Sequence, residues 1–136
     1  MIYNLFISHS WNYPAAYSGL INLLNKASYF NYKDYSVPKE DPLLIRNSNY
    51  YKSEFKNKIK NQMACCSVVL VMAGVYSTYS DFINLEIEVA KELGKPIVAV
   101  EPWGSERTSV LVKNAATRIV GWNTSSIVDA IREVSR

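Results

Sequence analysis

The residue with the clearest chemical potential in this sequence is Glu86, which falls on the apolar side of a predicted helix. Ser80 suits the N-cap of that helix, and Gly94 followed by Pro96 marks its end. At about 100° per residue, the apolar side chains gather on one broad arc, and Glu86 falls near its middle. A carboxylate therefore points where a leucine would be expected. The arc is formed by Phe82, Ile83, Leu85, Ile87, Val89, Ala90 and Leu93.

A glutamate in this position has two physical explanations, and the helix alone leaves both open. Removing a carboxylate from water costs on the order of several kcal/mol, so buried glutamates are usually paired. Glu86 is therefore either part of a structural ion pair, with its stem packed and its head near water, or it lines a cleft. In a cleft, a carboxylate can stabilise a developing positive charge or orient an attacking hydroxyl. Glu88 lies on the polar side and is expected to be exposed.

Several familiar catalytic motifs are absent from the sequence. There is no glycine-rich phosphate loop of either common type, no H-E-x-x-H and no G-x-S-x-G. His9 is the only histidine, and no spacing typical of a metal site occurs, so no metal or cofactor is predicted. Ser8, His9 and Ser10 are neighbours, but a nucleophile–base pair needs spatial geometry and a third orienting group. A hydrolase triad is therefore not favoured.

The helix that carries Glu86 belongs to a regular alternation of strands and helices. The apolar runs 67–74 and 96–100 are typical of central strands that are covered on both faces. Further strands are predicted at 2–7, within 30–37 and at 118–122, and helices at 15–27, 50–64, 80–93 and 110–115. A last helix is predicted through Arg132, with Thr124 or Ser125 as its N-cap. This order predicts an α/β fold, a doubly wound five-stranded parallel sheet of the flavodoxin-like kind with helices on both faces.

In such sheets, ligands bind beyond the carboxyl ends of the strands, near the switch in strand order. Polar and aromatic residues follow three of the predicted strands, and the Glu86 helix starts from the same edge. Their convergence is typical of a small-molecule cleft. These residues are Ser8, His9, Ser10 and Trp11 after the first strand, Gly74 and Tyr76 after the third, and 101–104 after the fourth.

Length and composition narrow the classes of partner. A chain of 136 residues with 49% hydrophobic and 20% charged residues predicts one globular domain, 1–136. The net charge of +3 does not predict nucleic-acid binding, although Lys52, Lys56, Lys58 and Lys60 leave a polyanion contact as a minor alternative to a solvated face.

No apolar run reaches the length of about 18–20 residues that spans a membrane, and no basic flank marks a signal peptide. A cytoplasmic protein with Cys65 and Cys66 as buried thiols is expected.

Five short motifs come in an order that resembles the TIR-like family with a flavodoxin-like fold, the group that includes the TIR-type NAD-consuming subunit of Thoeris antiphage systems. The resemblance covers nearly the whole chain, and its strength lies in the order of motifs that are individually weak. The motifs are Phe6–Trp11, Tyr35–Pro38 with Asp41–Leu43, Ser80-x-Phe82-Ile83-x-x-Glu86-Ile87-x-x-Ala90, Gly94–Ile97 and Pro102–Gly104.

The resemblance implies an enzyme that consumes NAD as its substrate, with Glu86 as the catalytic carboxylate. Phe82 stands where the family often has Trp, which keeps a flat apolar wall. Asn4 stands where the first strand often carries Asp, a position expected to stabilise the fold. The NAD-binding residues implied in this way are Ser8, His9, Ser10, Trp11, Gly74, Tyr76 and Phe82.

The activity implied by the resemblance is cleavage of the bond between nicotinamide and ribose, followed by formation of a cyclic ADP-ribose-type signal for a downstream effector in antiphage defence. The alternative is a TIR-like interaction module without catalysis. That alternative would use self-association through helices and the long 38–49 connection.

Overall fold

The chain forms a five-stranded sheet with helices packed on both of its faces. In the computed structural model of the protein, residues 2–8, 14–36, 49–73, 81–101 and 110–135 are described. The strands are β1 (Ile2–Ser8), β2 (Asn31–Asp34), β3 (Val68–Met72), β4 (Ile97–Glu101) and β5 (Arg118–Gly121). The helices are α1 (Pro14–Asn25), α2 (Asn49–Met63), α3 (Asp81–Glu92), α4 (Val110–Ala115) and α5 (Thr124–Val134).

The strand order is β2-β1-β3-β4-β5, and every neighbouring pair is parallel. The chain first moves from β1 to one side and then returns past it to β3, so the order switches between β1 and β3. This is the doubly wound, flavodoxin-like arrangement, and the predicted fold class is confirmed.

Burial along the strands follows their place in the sheet. Every residue of β3 and β4 is buried, because these strands have neighbours on both sides and helices on both faces. The edge strands β2 and β5 have only four residues each and are mostly exposed, as is common for edge strands that avoid further pairing.

The alternation of side chains divides the core into two layers. One layer joins the α2–α3–α4 side of the sheet, and the other joins the α1–α5 side. The first contains Phe6, Ile59, Met63, Val69, Val71, Ile83, Ile87, Val89, Ala90, Ala99 and Val112. The second contains Leu5, Ile7, Leu20, Leu24, Leu70, Met72, Val98, Val100, Ile127 and Ile131.

The end of α3 has the geometry that its sequence predicts. Gly94 has a φ of +66°, a conformation that residues with a Cβ rarely adopt. The Lys95 amide donates to the Ala90 carbonyl at 2.9 Å, and the Gly94 amide donates to the Lys91 carbonyl at 3.2 Å. These two bonds form a Schellman motif, which satisfies the last carbonyls of the helix and confirms Gly94 as its stop.

Two lysines of the α2 row, Lys56 and Lys60, stay partly exposed, and they also form ion pairs that the sequence did not predict. Lys56 Nζ lies 3.3 Å from Glu88 and 3.0 Å from Glu92, and Lys60 Nζ lies 3.1 Å from Glu92. These bonds link α2 to the outer side of α3. A lysine engaged in this way is less available to a polyanion, so the nucleic-acid alternative is weakened.

Two further local expectations need correction. The N-cap of α5 is Asn123, whose side chain accepts from the Ser126 amide, and the helix does not use Thr124 or Ser125 as its cap. Cys65 is exposed and only Cys66 is buried, because the two adjacent residues follow the end of α2 in a turn. Asn4 contributes to the same turn by donating to the Cys65 carbonyl at 3.1 Å, a structural contact as expected.

Candidate active site

Ser8 is the last residue of β1, and its side chain faces the layer that contains α3. It shares this face with Phe6 because side chains alternate along a strand. In the sheet it lies opposite Val71 of β3, so it stands at the switch in strand order, where ligands bind in folds of this kind. Ser8 is nonetheless 0% exposed. It is therefore part of the strand and its core, and not of an open polar turn.

Glu86 lies in the middle of α3 and is 3% exposed. Ile83 and Ala90, one turn before and after it, are buried against the sheet, as is the adjacent Ile87. Residues three and four apart share a face of a helix, so this pattern directs Glu86 toward the sheet. The expectation that the carboxylate points into the apolar arc is confirmed.

A buried hydrogen bond joins these two residues. The Ser8 hydroxyl donates to Glu86 Oε1 at 3.3 Å, across 78 positions of sequence. Strand β1 and helix α3 thus supply one partner each. The bond places the carboxyl beside the carboxyl end of β1.

Burial changes the ionisation of this carboxyl. Loss of water around Glu86 raises its pKa well above the ordinary value of 4.5, and the hydrogen bond from Ser8 opposes that rise. Burial disfavours the charged form, whereas a donated hydrogen bond favours it. Strongly perturbed carboxyl groups near ligand-binding edges are candidates for function, although structural networks can also perturb them.

The structural ion pair that the sequence left open for Glu86 is not found among the described residues. No cationic side chain in that part of the chain lies within 4.0 Å of its carboxyl group. The lysines of α2 bind Glu88 and Glu92 instead, on the outer side of α3. Ser8 is the hydrogen-bond partner that the described residues provide.

Glu101, which the sequence predicts at the ligand-binding edge without a specific role, is a second buried carboxyl group on the same face of the sheet. It is the last residue of β4, is 8% exposed, and follows Ile97 and Ala99 in the alternation toward α3. The strand pattern alone contained this signal, because an alternate position of a central strand is covered by a helix. Ser8 and Glu101 thus lie at the same edge, on strands separated by β3.

For the other predicted site residues, the structure describes either no part of the residue or only its backbone. His9, Ser10, Trp11, Gly74 and Tyr76 lie outside the described residues. Phe82 belongs to α3, but its side chain is also outside the described part of the structure. Their contact with NAD remains a prediction.

Among residues 2–8, 14–36, 49–73, 81–101 and 110–135, no group of three or more His, Cys, Asp or Glu side chains is arranged to hold a metal ion. What these residues do offer is an uncharged hydroxyl donor and a carboxyl with little access to water. Such a pair can place a negative charge beside a positive charge that forms in a reaction.

The parallel sheet, the strand order and the buried carboxyl near the switch define a flavodoxin-like domain with a candidate site at the ends of β1 and β3. Residues 6–107 match the family described as Thoeris protein ThsB, TIR-like domain. The chain belongs to this family, in agreement with the resemblance found in its motifs. A comparison with curated proteins gives no match.

Solved structures of similar shape support the fold. A CMP N-glycosidase from Clostridium botulinum, BcmB, has a TM-score of 0.56 at 13% identity, over 96% of this chain and 98% of that one. The response regulator domain of Thermotoga maritima CheB has a TM-score of 0.58 at 7% identity, over 99% and 97%. A 2-deoxyribosyltransferase from Bacillus psychrosaccharolyticus has a TM-score of 0.56 at 15% identity, over 90% of both chains. At such identities the likeness concerns the fold alone.

Within the described parts of the chain, no helix combines the length and the apolar character that crossing a bilayer requires.

Proposed function

We propose that this protein is an NAD-consuming enzyme that cleaves the bond between nicotinamide and ribose, with Glu86 as its catalytic carboxylate. The observation that carries the proposal is the burial of Glu86 beside the carboxyl end of β1, without a cationic partner among the described residues. Membership of the TIR-like family supports the choice of NAD as the substrate.

The reaction suits a site with one carboxylate. Cleavage of the nicotinamide–ribose bond passes through a state in which positive charge develops on the ribose, as in other glycosidic cleavages. Nicotinamide carries its positive charge in NAD and leaves as a neutral molecule, so no general acid is needed. An ionised Glu86 stabilises the developing charge, and low access to water strengthens that interaction.

The second half of the reaction decides the product. In this proposal Glu86 orients the attacking hydroxyl, which belongs either to water or to the same ADP-ribose. Attack by water gives ADP-ribose, whereas internal attack gives a cyclic ADP-ribose-type molecule. We favour the cyclic product as a signal for a downstream effector in antiphage defence, because the family is that of a Thoeris protein.

The fold is compatible with this chemistry. Two proteins of similar fold are named as an N-glycosidase and a 2-deoxyribosyltransferase, so the same architecture carries N-glycosidic chemistry elsewhere. Fold alone does not assign an activity, which is why the proposal depends on Glu86. His9, Ser10, Trp11, Gly74, Tyr76 and Phe82 are proposed to line the NAD site.

The test compares NAD turnover of the wild type, Glu86→Ala and Glu88→Ala, with products separated by chromatography and identified by mass spectrometry. Each protein is purified from cells with and without phage infection, so that an activating event is included. We expect Glu86→Ala to lose at least about 100-fold in kcat/KM. Glu88 is the matched control, because it lies on the same helix with 58% of its side chain exposed, and its variant is expected to retain activity.

Equal activity of Glu86→Ala and the wild type would falsify the assignment of the catalytic carboxylate. A wild type that never consumes NAD, but assembles as its concentration rises, would favour the non-catalytic interaction module instead. Release of nicotinamide with only linear ADP-ribose would retain the cleavage step and remove the cyclic signal.

A further inference from the structure

Ser8 was expected from the family resemblance to contact NAD, but its surroundings suit another role. The residue is 0% exposed at the end of a central strand. A serine hydroxyl has a single hydrogen to donate, and that hydrogen is directed to Glu86 Oε1. Because this donor is already engaged by Glu86, Ser8 has no second hydrogen to offer a substrate.

We infer that Ser8 is a positioning residue, which holds the Glu86 carboxyl by a buried hydrogen bond and does not itself contact NAD. This inference rests on the proposed function, since it assigns Ser8 a part in the same reaction. The sheet makes Ser8 a rigid support, because β1 pairs with β3 through Leu5↔Val68, Phe6↔Val69, Ile7↔Leu70 and Ser8↔Val71. Glu86, by contrast, reaches the site from a helix through a flexible side chain.

The hydrogen bond has an electrostatic as well as a geometric effect. A donor aimed at a carboxylate oxygen stabilises the charged form, and here it opposes the rise in pKa that burial causes. The ionised form is the one that the proposed reaction requires. Removing the hydroxyl would leave burial unopposed, so a smaller share of Glu86 would be ionised at neutral pH.

Other titratable groups around α3 do not replace Ser8 in this role. None of those on the described parts of the packed elements lies within hydrogen-bond or ion-pair distance of the Glu86 carboxyl. Lys56 and Lys60 bind the outer carboxylates of α3, Glu88 and Glu92. These groups are Lys56, Lys58 and Lys60 of α2, Glu101 of β4, Lys113 of α4, and Tyr35 and Cys66 in the shared core.

The first experiment measures kcat and KM against pH for the wild type, Ser8→Ala and Ser8→Cys. Loss of the hydroxyl is expected to move the acidic limb of kcat/KM to higher pH and to lower kcat at neutral pH on the order of tenfold, with KM little changed. Ser8→Cys keeps a hydrogen-bond donor, but a weaker one on a slightly larger side chain, so its acidic limb is expected between those of the wild type and Ser8→Ala. An unmoved limb, or a rise in KM alone, would overturn the inference.

Ser67→Ala is the matched control. Ser67 also lies next to a central strand, and its hydroxyl donates to the Asn4 carbonyl at 3.3 Å, at the opposite end of β3. Its variant loses a partly buried, hydrogen-bonded hydroxyl without touching Glu86. We expect its acidic limb to coincide with that of the wild type, and a shift equal to that of Ser8→Ala would show a general effect of destabilisation and overturn the inference.

A second readout separates this inference from the proposed function. The Glu86 carboxyl is titrated by NMR in protein labelled with ¹³C at glutamate side chains, with Glu86→Gln used to assign its signal. A higher titration midpoint of Glu86 in Ser8→Ala supports the positioning role of Ser8. An unchanged midpoint overturns that role, even if the enzyme is active. If the wild type shows no NAD turnover, the proposed function fails, while the titration still decides whether Ser8 controls Glu86.

Discussion

Glu86 and Glu88 stand two residues apart on α3 and point to opposite environments. Glu86 is 3% exposed and receives the Ser8 hydroxyl, whereas 58% of the Glu88 side chain is exposed and it binds Lys56. Two residues on a helix are separated by about 200° around its axis, which accounts for this division. The same helix therefore provides both the candidate catalytic carboxylate and its internal control.

Replacing Glu86 with glutamine is expected to stabilise the protein above mildly acidic pH. The folded-state pKa of Glu86 is raised above its ordinary value of 4.5, so the folded state holds this proton more tightly than the unfolded state. The wild type consequently loses stability as pH rises from the unfolded pKa through the folded one. Urea unfolding at a series of pH values should show that the free energy of unfolding of Glu86→Gln increases relative to that of the wild type over this pH range. Glu88→Gln should show no such gain, and a Glu86→Gln difference independent of pH would contradict the prediction.

The catalytic rate of the wild type should rise with pH through the raised pKa of Glu86, because the proposed reaction uses the ionised carboxylate. A pH profile of kcat/KM reports the ionisation of the free enzyme. Its acidic limb is therefore expected at higher pH than the ordinary glutamate value. A profile that is flat down to the ordinary glutamate pKa would argue against Glu86 as the group that must ionise.

The two adjacent cysteines should differ sharply in reactivity. Cys65 is exposed, whereas burial, aided by the neighbouring Cys65, raises the pKa of Cys66 to about 12. The thiolate is the reactive form, so Cys66 should stay inert at neutral pH. Folded protein is treated with iodoacetamide and its peptides are analysed by mass spectrometry. Cys65 should be modified in the folded protein, whereas Cys66 should be modified only after unfolding. Equal labelling of both in the folded protein would contradict the burial of Cys66.

Gly94→Ala should cost about 1–2 kcal/mol of stability, since the position has a φ of +66°. Space is not the reason, because an added Cβ would meet no atom within 4 Å. Gly121→Ala is the matched control, with equal space and no positive φ, and should change stability by no more than about 0.5 kcal/mol. Chemical denaturation measures both, and similar losses in the two variants would refute a conformational cause.

The fold could be predicted from the sequence because its signals are long and repeated. The unbroken apolar runs of β3 and β4 indicate strands covered on both faces, and helical periodicity alone directed Glu86 inward. The ends of elements were harder to predict. The N-cap of α5 is Asn123 and not Thr124. Several neighbouring polar residues can each accept from the first amides of a helix, so the sequence alone does not single out one of them.

The partner of Glu86 could not be predicted in the same way. The Ser8 bond depends on the placement of α3 over β1, and this placement follows from packing between segments 78 positions apart. No local pattern encodes such a distance. The pairing of the α2 lysines with Glu88 and Glu92 was missed for the same reason, since each helix read separately shows only a row of charges.

The separation of the core into two layers places the candidate site on one face of the sheet and leaves the other face to α1 and α5. Ser8 and Glu86 belong to the layer of α2, α3 and α4, whereas α1 and α5 cover the reverse of the sheet. Substitutions in α5 therefore make no direct contact with Glu86, and they can shift its side chain only through the strands that lie between the two helices. An affinity tag or a fluorescent label joined after α5 would consequently be attached on the face of the sheet opposite the candidate site.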